Sequence, residues 1–198
     1  MEAVAIQRLT YREFREMEFD DNDTFQYELL DGEIMKKQWS GIPAPTPWHQ
    51  RLSGNLYTEL RQHVTEKKLG EVFYAPIDVF LNEYNAPQPD LVFVSEAKKN
   101  LVTNDGIMGT PDLVVEIISP SSVKRDRLQK RGIYERFAVP EYWIADPQNQ
   151  EIEVYTLLAA GRYELFCMAT VQDLARGEGF MLTSSVLPDL KIDIRALF

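Results

Sequence analysis

Pro111-Asp112-Leu113-Val114-Val115-Glu116-Ile117-Ile118-Ser119-Pro120-Ser121-Ser122 is the stretch on which the fold turns. From Leu113 to Ile118 it is apolar but for one acid, the pattern of a strand buried on both faces. Leu91 to Val94 repeats that pattern upstream. Both runs are predicted as central strands. Ser119 to Ser122 reads as a turn that opens a helix over Lys124 to Ala138, with Leu128, Tyr134 and Phe137 on its apolar side and Pro140 ending it. Beyond it, Tyr142 to Ala145, Gln150 to Leu157 and Arg162 to Met168 alternate as strands, with Asp146-Pro147 and Gly161 marking turns.

Upstream, Thr10-Tyr11-Arg12-Glu13 fits a capping box, and Tyr11, Phe14 and Met17 follow at helical spacing. Phe25 to Leu30 and Glu33 to Lys37 flank Asp31-Gly32, a tight-turn dipeptide, so a β-hairpin is expected. Prolines at 43, 45 and 47 keep the next segment extended, with Thr46 and Pro47 suited to the cap and first position of a helix. That helix, Trp48 to Leu69, carries Leu52, Leu56, Leu60 and Val64 on one face, and Gly70 is placed to end it. Strands are expected from Glu71 to Leu81, interrupted at Pro76. This order of helices and strands predicts an α/β domain with a mixed sheet.

The 198 residues, 44% hydrophobic and 26% charged, suit a single domain over 1–198 with a core of its own. One cysteine, Cys167, in what reads as a packed strand, and the absence of a signal-like apolar block from Met1 to Thr10 make the cytoplasm the expected compartment. No apolar run approaches the roughly 20 residues of a membrane helix. Lys and Arg number 21 against 31 Asp and Glu, a formal charge of −10 that excludes a general nucleic-acid coating protein. Any nucleic-acid role must rest on a local basic patch or on metal ions held by carboxylates.

Asp90 and Glu116 sit at or within the two apolar runs, where a carboxylate must be paired, hydrogen-bonded, protonated or metal-bound. Neighbouring strands lie about 4.8 Å apart, so two such acids could share a divalent cation; each could also cap a strand or pair with an arginine. Asp112 stands four residues before Glu116, about 13 Å along a strand, and reads as a strand-entry residue. Lys124, Arg125, Arg127, Lys130 and Arg131 form the clearest basic patch, in which Asp126 and Lys130 at i,i+4 read as a surface ion pair worth a few tenths of a kcal/mol. His49 reads as a helix-start surface or capping residue that could contact a phosphate, and His63 as surface. Trp143 and Asp146 read as packing and capping residues.

Taken in order, Tyr27-Glu28-Leu29-Leu30-Asp31-Gly32-Glu33, Trp48-His49-Gln50, Gln88-Pro89-Asp90, the stretch 111–122, Asp126 with Lys130, and Glu141-Tyr142-Trp143-Ile144-Ala145-Asp146-Pro147 resemble the successive signatures of the Uma-two family of restriction-endonuclease-like proteins. The resemblance covers most of the chain. It implies the fold of the PD-(D/E)XK nuclease superfamily: a restriction-endonuclease-like mixed central sheet flanked by helices, here with an N-terminal helix and β-hairpin. It also implies phosphodiester hydrolysis with a divalent metal, Mg²⁺ or Mn²⁺, held by Asp90 and Glu116. The implied partner is nucleic acid, DNA foremost, with no membrane, and a homodimer is compatible with it. Pro89-Asp90 resembles the PD element, Glu116 the first acid of the (D/E)XK element, and Glu28 the upstream acid. Ile118 stands where the superfamily lysine belongs, and the resemblance implies that Lys130 substitutes in space. His49, Lys124, Arg125 and Arg127 are the candidate substrate contacts. Two other readings follow from Ile118 and the net charge: a nuclease-fold binding or regulatory module without turnover, and a hydrolase of a smaller phosphoester.

Overall fold

Thr10 caps the first helix as expected: its side chain accepts from the Glu13 amide and Glu13 returns the bond, so α1 (Tyr11–Arg15) begins there and buries Tyr11 and Phe14. The computed structural model describes residues 8–19, 25–37, 45–172 and 181–198, so the expectation at Pro43 lies outside the described residues. Strands β1 (Gln26–Leu30) and β2 (Glu33–Lys37) pair antiparallel around Asp31-Gly32. Both turn residues have positive φ, 52° and 82°, as a tight hairpin requires.

Thr46 caps α2 (Pro47–Lys67), which lays Leu52, Leu56, Leu60 and Val64 on the sheet. Its end differs from expectation. Lys68, at φ 55°, takes the left-handed position, and Gly70 opens the next strand instead. The reason is a close approach: at φ 148° a Cβ on Gly70 would lie 2.1 Å from the Val94 carbonyl oxygen.

The central sheet has six strands in the order β8-β7-β6-β5-β4-β3, comprising β3 (Gly70–Tyr74), β4 (Leu91–Ser95), β5 (Leu113–Ile117), β6 (Glu141–Asp146), β7 (Glu151–Leu157) and β8 (Tyr163–Thr170). All neighbours are antiparallel except β5 and β6, whose parallel pairing requires a crossover. Residues 118–140 supply it, as a π-helical turn (Arg125–Lys130) running into α3 (Arg131–Arg136). One sheet face, with Leu91, Phe93, Leu113, Val115 and Trp143, packs on α2, while Val92, Val94, Val114, Tyr142 and Ile144 meet Tyr134 and Val139 on the other. Among the described residues no helix is long and apolar enough to cross a membrane.

The crossover faces inward differently from expectation. Leu128 is 65% exposed, whereas Asp126, Lys130 and Tyr134, four residues apart, are buried. The strand carrying Cys167 is an edge strand with Leu165, Phe166 and Met168 exposed, not a fully packed one. Replacing Gly70 by alanine should cost more than about 1 kcal/mol and lower the melting temperature by several degrees, because both φ and the Val94 carbonyl oppose a side chain. An unchanged melting temperature would contradict this account of the helix-to-strand junction.

Candidate active site

The two-residue turn fixes the hairpin register as Glu28↔Met35 and Gln26↔Lys37. Strand alternation then puts Glu28 and Lys37 on one face. That face clasps the chain just before β4: Glu28 Oε2 accepts from the Gln88 amide at 3.0 Å, and Lys37 Nζ donates to the Gln88 carbonyl at 2.8 Å. Asp90 is held next. Its amide donates to the Val115 carbonyl at 3.0 Å and its Oδ2 accepts from the Ile117 amide at 2.7 Å, so Asp90 grips both residues that flank Glu116 on the adjacent strand. Lys37 Nζ lies 3.4 Å from Asp90 Oδ1, and His49 Nε2 lies 3.4 Å from Oδ2. Burial pushes the Asp90 carboxyl up, but Lys37, His49 and the Ile117 amide outweigh burial and hold it well below the usual carboxylate range.

Glu116 points to the side carrying the crossover. Its Oε1 accepts from Lys130 Nζ at 2.8 Å and from the Tyr134 hydroxyl at 2.7 Å. The same ammonium lies 2.8 Å from Glu28 Oε2, so one fully buried cation joins hairpin, central strand and crossover. Burial pushes the Glu116 carboxyl up to about 8; Lys130 pulls against this, while Asp126 and Asp90 add to it. Burial also raises Asp126 against the pull of Lys130 and Arg125. For Glu28 the balance reverses, and Lys130, Lys37 and Arg125 hold its carboxyl below the ordinary value in spite of burial. Lys130 stays charged, because its acidic neighbours overcome the burial that would lower it.

Four buried carboxylates, Glu28, Asp90, Glu116 and Asp126, thus face three fixed cations, Lys37, Arg125 and Lys130. Arg125 Nε stands 3.5 Å from both Glu28 Oε1 and Asp126 Oδ1, and these three buried atoms make no hydrogen bond among the described residues. On one side of the cluster, Asp90 and His49 line a cavity of about 500 Å³. Among the described residues no group of three or more His, Cys, Asp or Glu forms a ready cation cage.

Glu28, Asp90, Glu116 and Lys130 are therefore brought together, with His49 beside Asp90. His49 is buried, contrary to the surface expectation, because the α2 cap holds its amide on Thr46 Oγ1 and its ring beside Asp90. Nor are Asp126 and Lys130 a surface pair; both face the acids of the sheet. His63, read as surface, is half-buried, with its Nε2 3.0 Å from the Pro188 carbonyl. The basic patch disperses. Lys124 is exposed, Arg125 turns in to Glu28 and Asp126, and Arg127 makes a two-toothed pair with Glu153 at 2.8 and 2.9 Å. Lys37 and Tyr134 are members of the cluster that motif reading passes over; the hairpin register is the signal that points to Lys37.

Glu116 thus lies on one central strand of a mixed sheet, and Asp90 immediately precedes its neighbour. A crystal structure from Anabaena variabilis, described as a putative nuclease belonging to DUF820, superposes with a TM-score of 0.70 at 17% identity, covering 96% of this chain and 97% of that one. An uncharacterised protein of Synechocystis sp., sll1609, is 26% identical over 149 residues, 74% of this chain and 80% of its own length. The profile of the Uma-two family (Uma2), described as "Putative restriction endonuclease", matches residues 11–194, and the chain belongs to that family.

Removing the shared ammonium strands two buried carboxylates. Lys130→Met should therefore cost about 3–5 kcal/mol in denaturant titration. A loss of only a few tenths, as for a surface pair, would contradict the buried geometry.

Proposed function

We propose that the protein is a metal-dependent endonuclease that hydrolyses phosphodiester bonds of nucleic acid, DNA foremost. The observation that supports this reading is the grip of Asp90 on both neighbours of Glu116, with both acids buried where two adjacent central strands meet. The donor set fits a hard divalent cation. It consists of carboxylate oxygens, and Mg²⁺ is commonly bound by one or two carboxylates with waters and substrate phosphates rather than by a full protein cage. Asp90 and Glu116 would hold Mg²⁺ or Mn²⁺. Such an ion supplies Lewis-acid polarisation of phosphoryl oxygens and of water.

The chain's own residues do the rest. Asp90, the acid on the open side, meets the incoming phosphate with His49 beside it. Lys130 cannot leave its place between Glu28 and Glu116, so it is a fixed positive charge rather than a proton donor. It steadies Glu116 and offsets the charge that builds on the phosphate. Lys37 does the same for Asp90. Ile118, on the Glu116 side of β5 but without charge, leaves that work to these two lysines. Lys124 is the exposed cation at the head of the crossover that remains for a phosphate.

Incubation with DNA and RNA in Mg²⁺ or Mn²⁺ should give cleavage that a chelator abolishes and Glu116→Gln removes. Calorimetry, at a temperature where both proteins are folded, should show Mn²⁺ binding weakened in Glu116→Gln, whose melting temperature also falls because Lys130 loses one of its two buried partners. Equal Mn²⁺ affinity in that variant would make Glu116 structural. A parent inactive on every strand offered would instead favour the non-catalytic binding module, the reading that the burial of Lys130 away from solvent supports.

A further inference from the structure

A second cavity, of about 410 Å³, shares His49 with the Asp90 cavity as a common wall and has Asp146 as its one acidic lining residue. Trp48, Pro120 and Pro147 wall it, and Gln148 and Gln150 stand at its polar side. Trp48 is the outlier. It is 65% exposed, although burying a large aromatic removes much apolar surface from water. It is nevertheless held in place. Thr46 caps α2 and Pro47 takes the first position, which fixes residue 48 on the first turn, and the Arg51 guanidinium lies 4.8 Å over the indole ring. That first turn contains no acidic residue, so the positive end of the 21-residue helix is not neutralised from within.

We infer that this cavity is a nucleobase site: an unpaired base of a single-stranded nucleic acid stacks on Trp48 while the adjoining phosphate lies on the Asp90 side of His49. The inference rests on the nuclease reading and adds the strand state of the substrate. Three features support it. The volume is that of a small-molecule site and takes one base, not a duplex. Side-chain amides such as those of Gln148 and Gln150 can donate to and accept from a base edge, which is open only when the base is unpaired. A chain of charge −10 in which Arg125 and Arg127 are engaged by acids and Arg131 by Tyr155 and the Tyr163 carbonyl has little means of gripping a duplex through phosphates alone, whereas stacking on an aromatic ring works for any base. Arg51 adds a cation beside the stacked base for its phosphate.

Binding can be read apart from cleavage, in chelator, by anisotropy of short fluorescein-labelled oligothymidylate, its ribose counterpart and a duplex of equal length. A single strand of either sugar should bind more tightly than the duplex and quench tryptophan fluorescence. Trp48→Ala should weaken that binding about tenfold at unchanged melting temperature, and Trp48→Phe should retain most of it. Equal affinity of Trp48→Ala and parent, preference for the duplex, or no binding of any strand by the parent would overturn the inference. The two readings fail separately. Trp48-dependent binding without metal-dependent cleavage removes the nuclease and leaves the base site. Cleavage of duplex unaffected by Trp48→Ala removes the base site and leaves the nuclease.

Discussion

One ammonium group, Lys130 Nζ, sits 2.8 Å from both Glu28 and Glu116 with no exposure to solvent, and the arrangement of the molecule follows from it. Taking three ions out of water costs several kcal/mol each after relaxation, and only close geometry with further hydrogen bonds offsets this. Those bonds are present: the Gln88 amide on Glu28 and the Tyr134 hydroxyl on Glu116. The hairpin, the central sheet and the crossover are therefore not three units that happen to pack. Each supplies one member of an ion set that would be intolerable without the other two.

The π-helical turn belongs to the same constraint. A π-turn is rare and tends to occur where a function rather than helix stability sets the geometry. Over Arg125–Lys130 it directs Asp126 and Lys130 inward, and the Tyr142 hydroxyl donates to the Asp126 carbonyl at 3.0 Å, so that carbonyl gains a partner from the sheet. The face of the crossover that meets the sheet is thus polar, and Leu128 is left outside. An ordinary amphipathic helix would have covered the acids with aliphatics.

This explains what could and could not be read from the chain. Elements with a local cause were legible: the Thr10 capping box, the hairpin at Asp31-Gly32, the leucine stripe of α2, and the two apolar strands bearing Asp90 and Glu116. The side of the crossover was not, because hydrophobic periodicity assumes that the buried face is the apolar one. Asp126, Lys130 and Tyr134 lie on one face at steps of four, whereas the apolar reading joins Tyr134 to Leu128 and Phe137; Tyr134 is buried as that reading expects, and the charge of the sheet beneath turns Asp126 and Lys130 inward and leaves Leu128 outside. Gly70 was misread for a similar reason. Its role is set by Val94, a residue far along the chain. Lys37 was implicit in the register, since a two-residue turn at 31–32 leaves 37 no other face than that of Glu28.

Net charge is a poor guide to what such a molecule can hold. At physiological ionic strength a fixed charge is felt over roughly 8 Å through solvent, so most of the −10 is screened from a ligand at the Asp90 opening. Inside the cluster the opposite holds, because buried charges are screened weakly. There four carboxyl groups face Lys37, Arg125 and Lys130, and Asp90 borders a cavity. At that opening His49 and Lys37 stand beside Asp90, each 3.4 Å from one of its oxygens. Long-range attraction is accordingly weak, and selection must come from short-range fit around His49, where the Asp90 cavity and the Trp48 cavity share a wall.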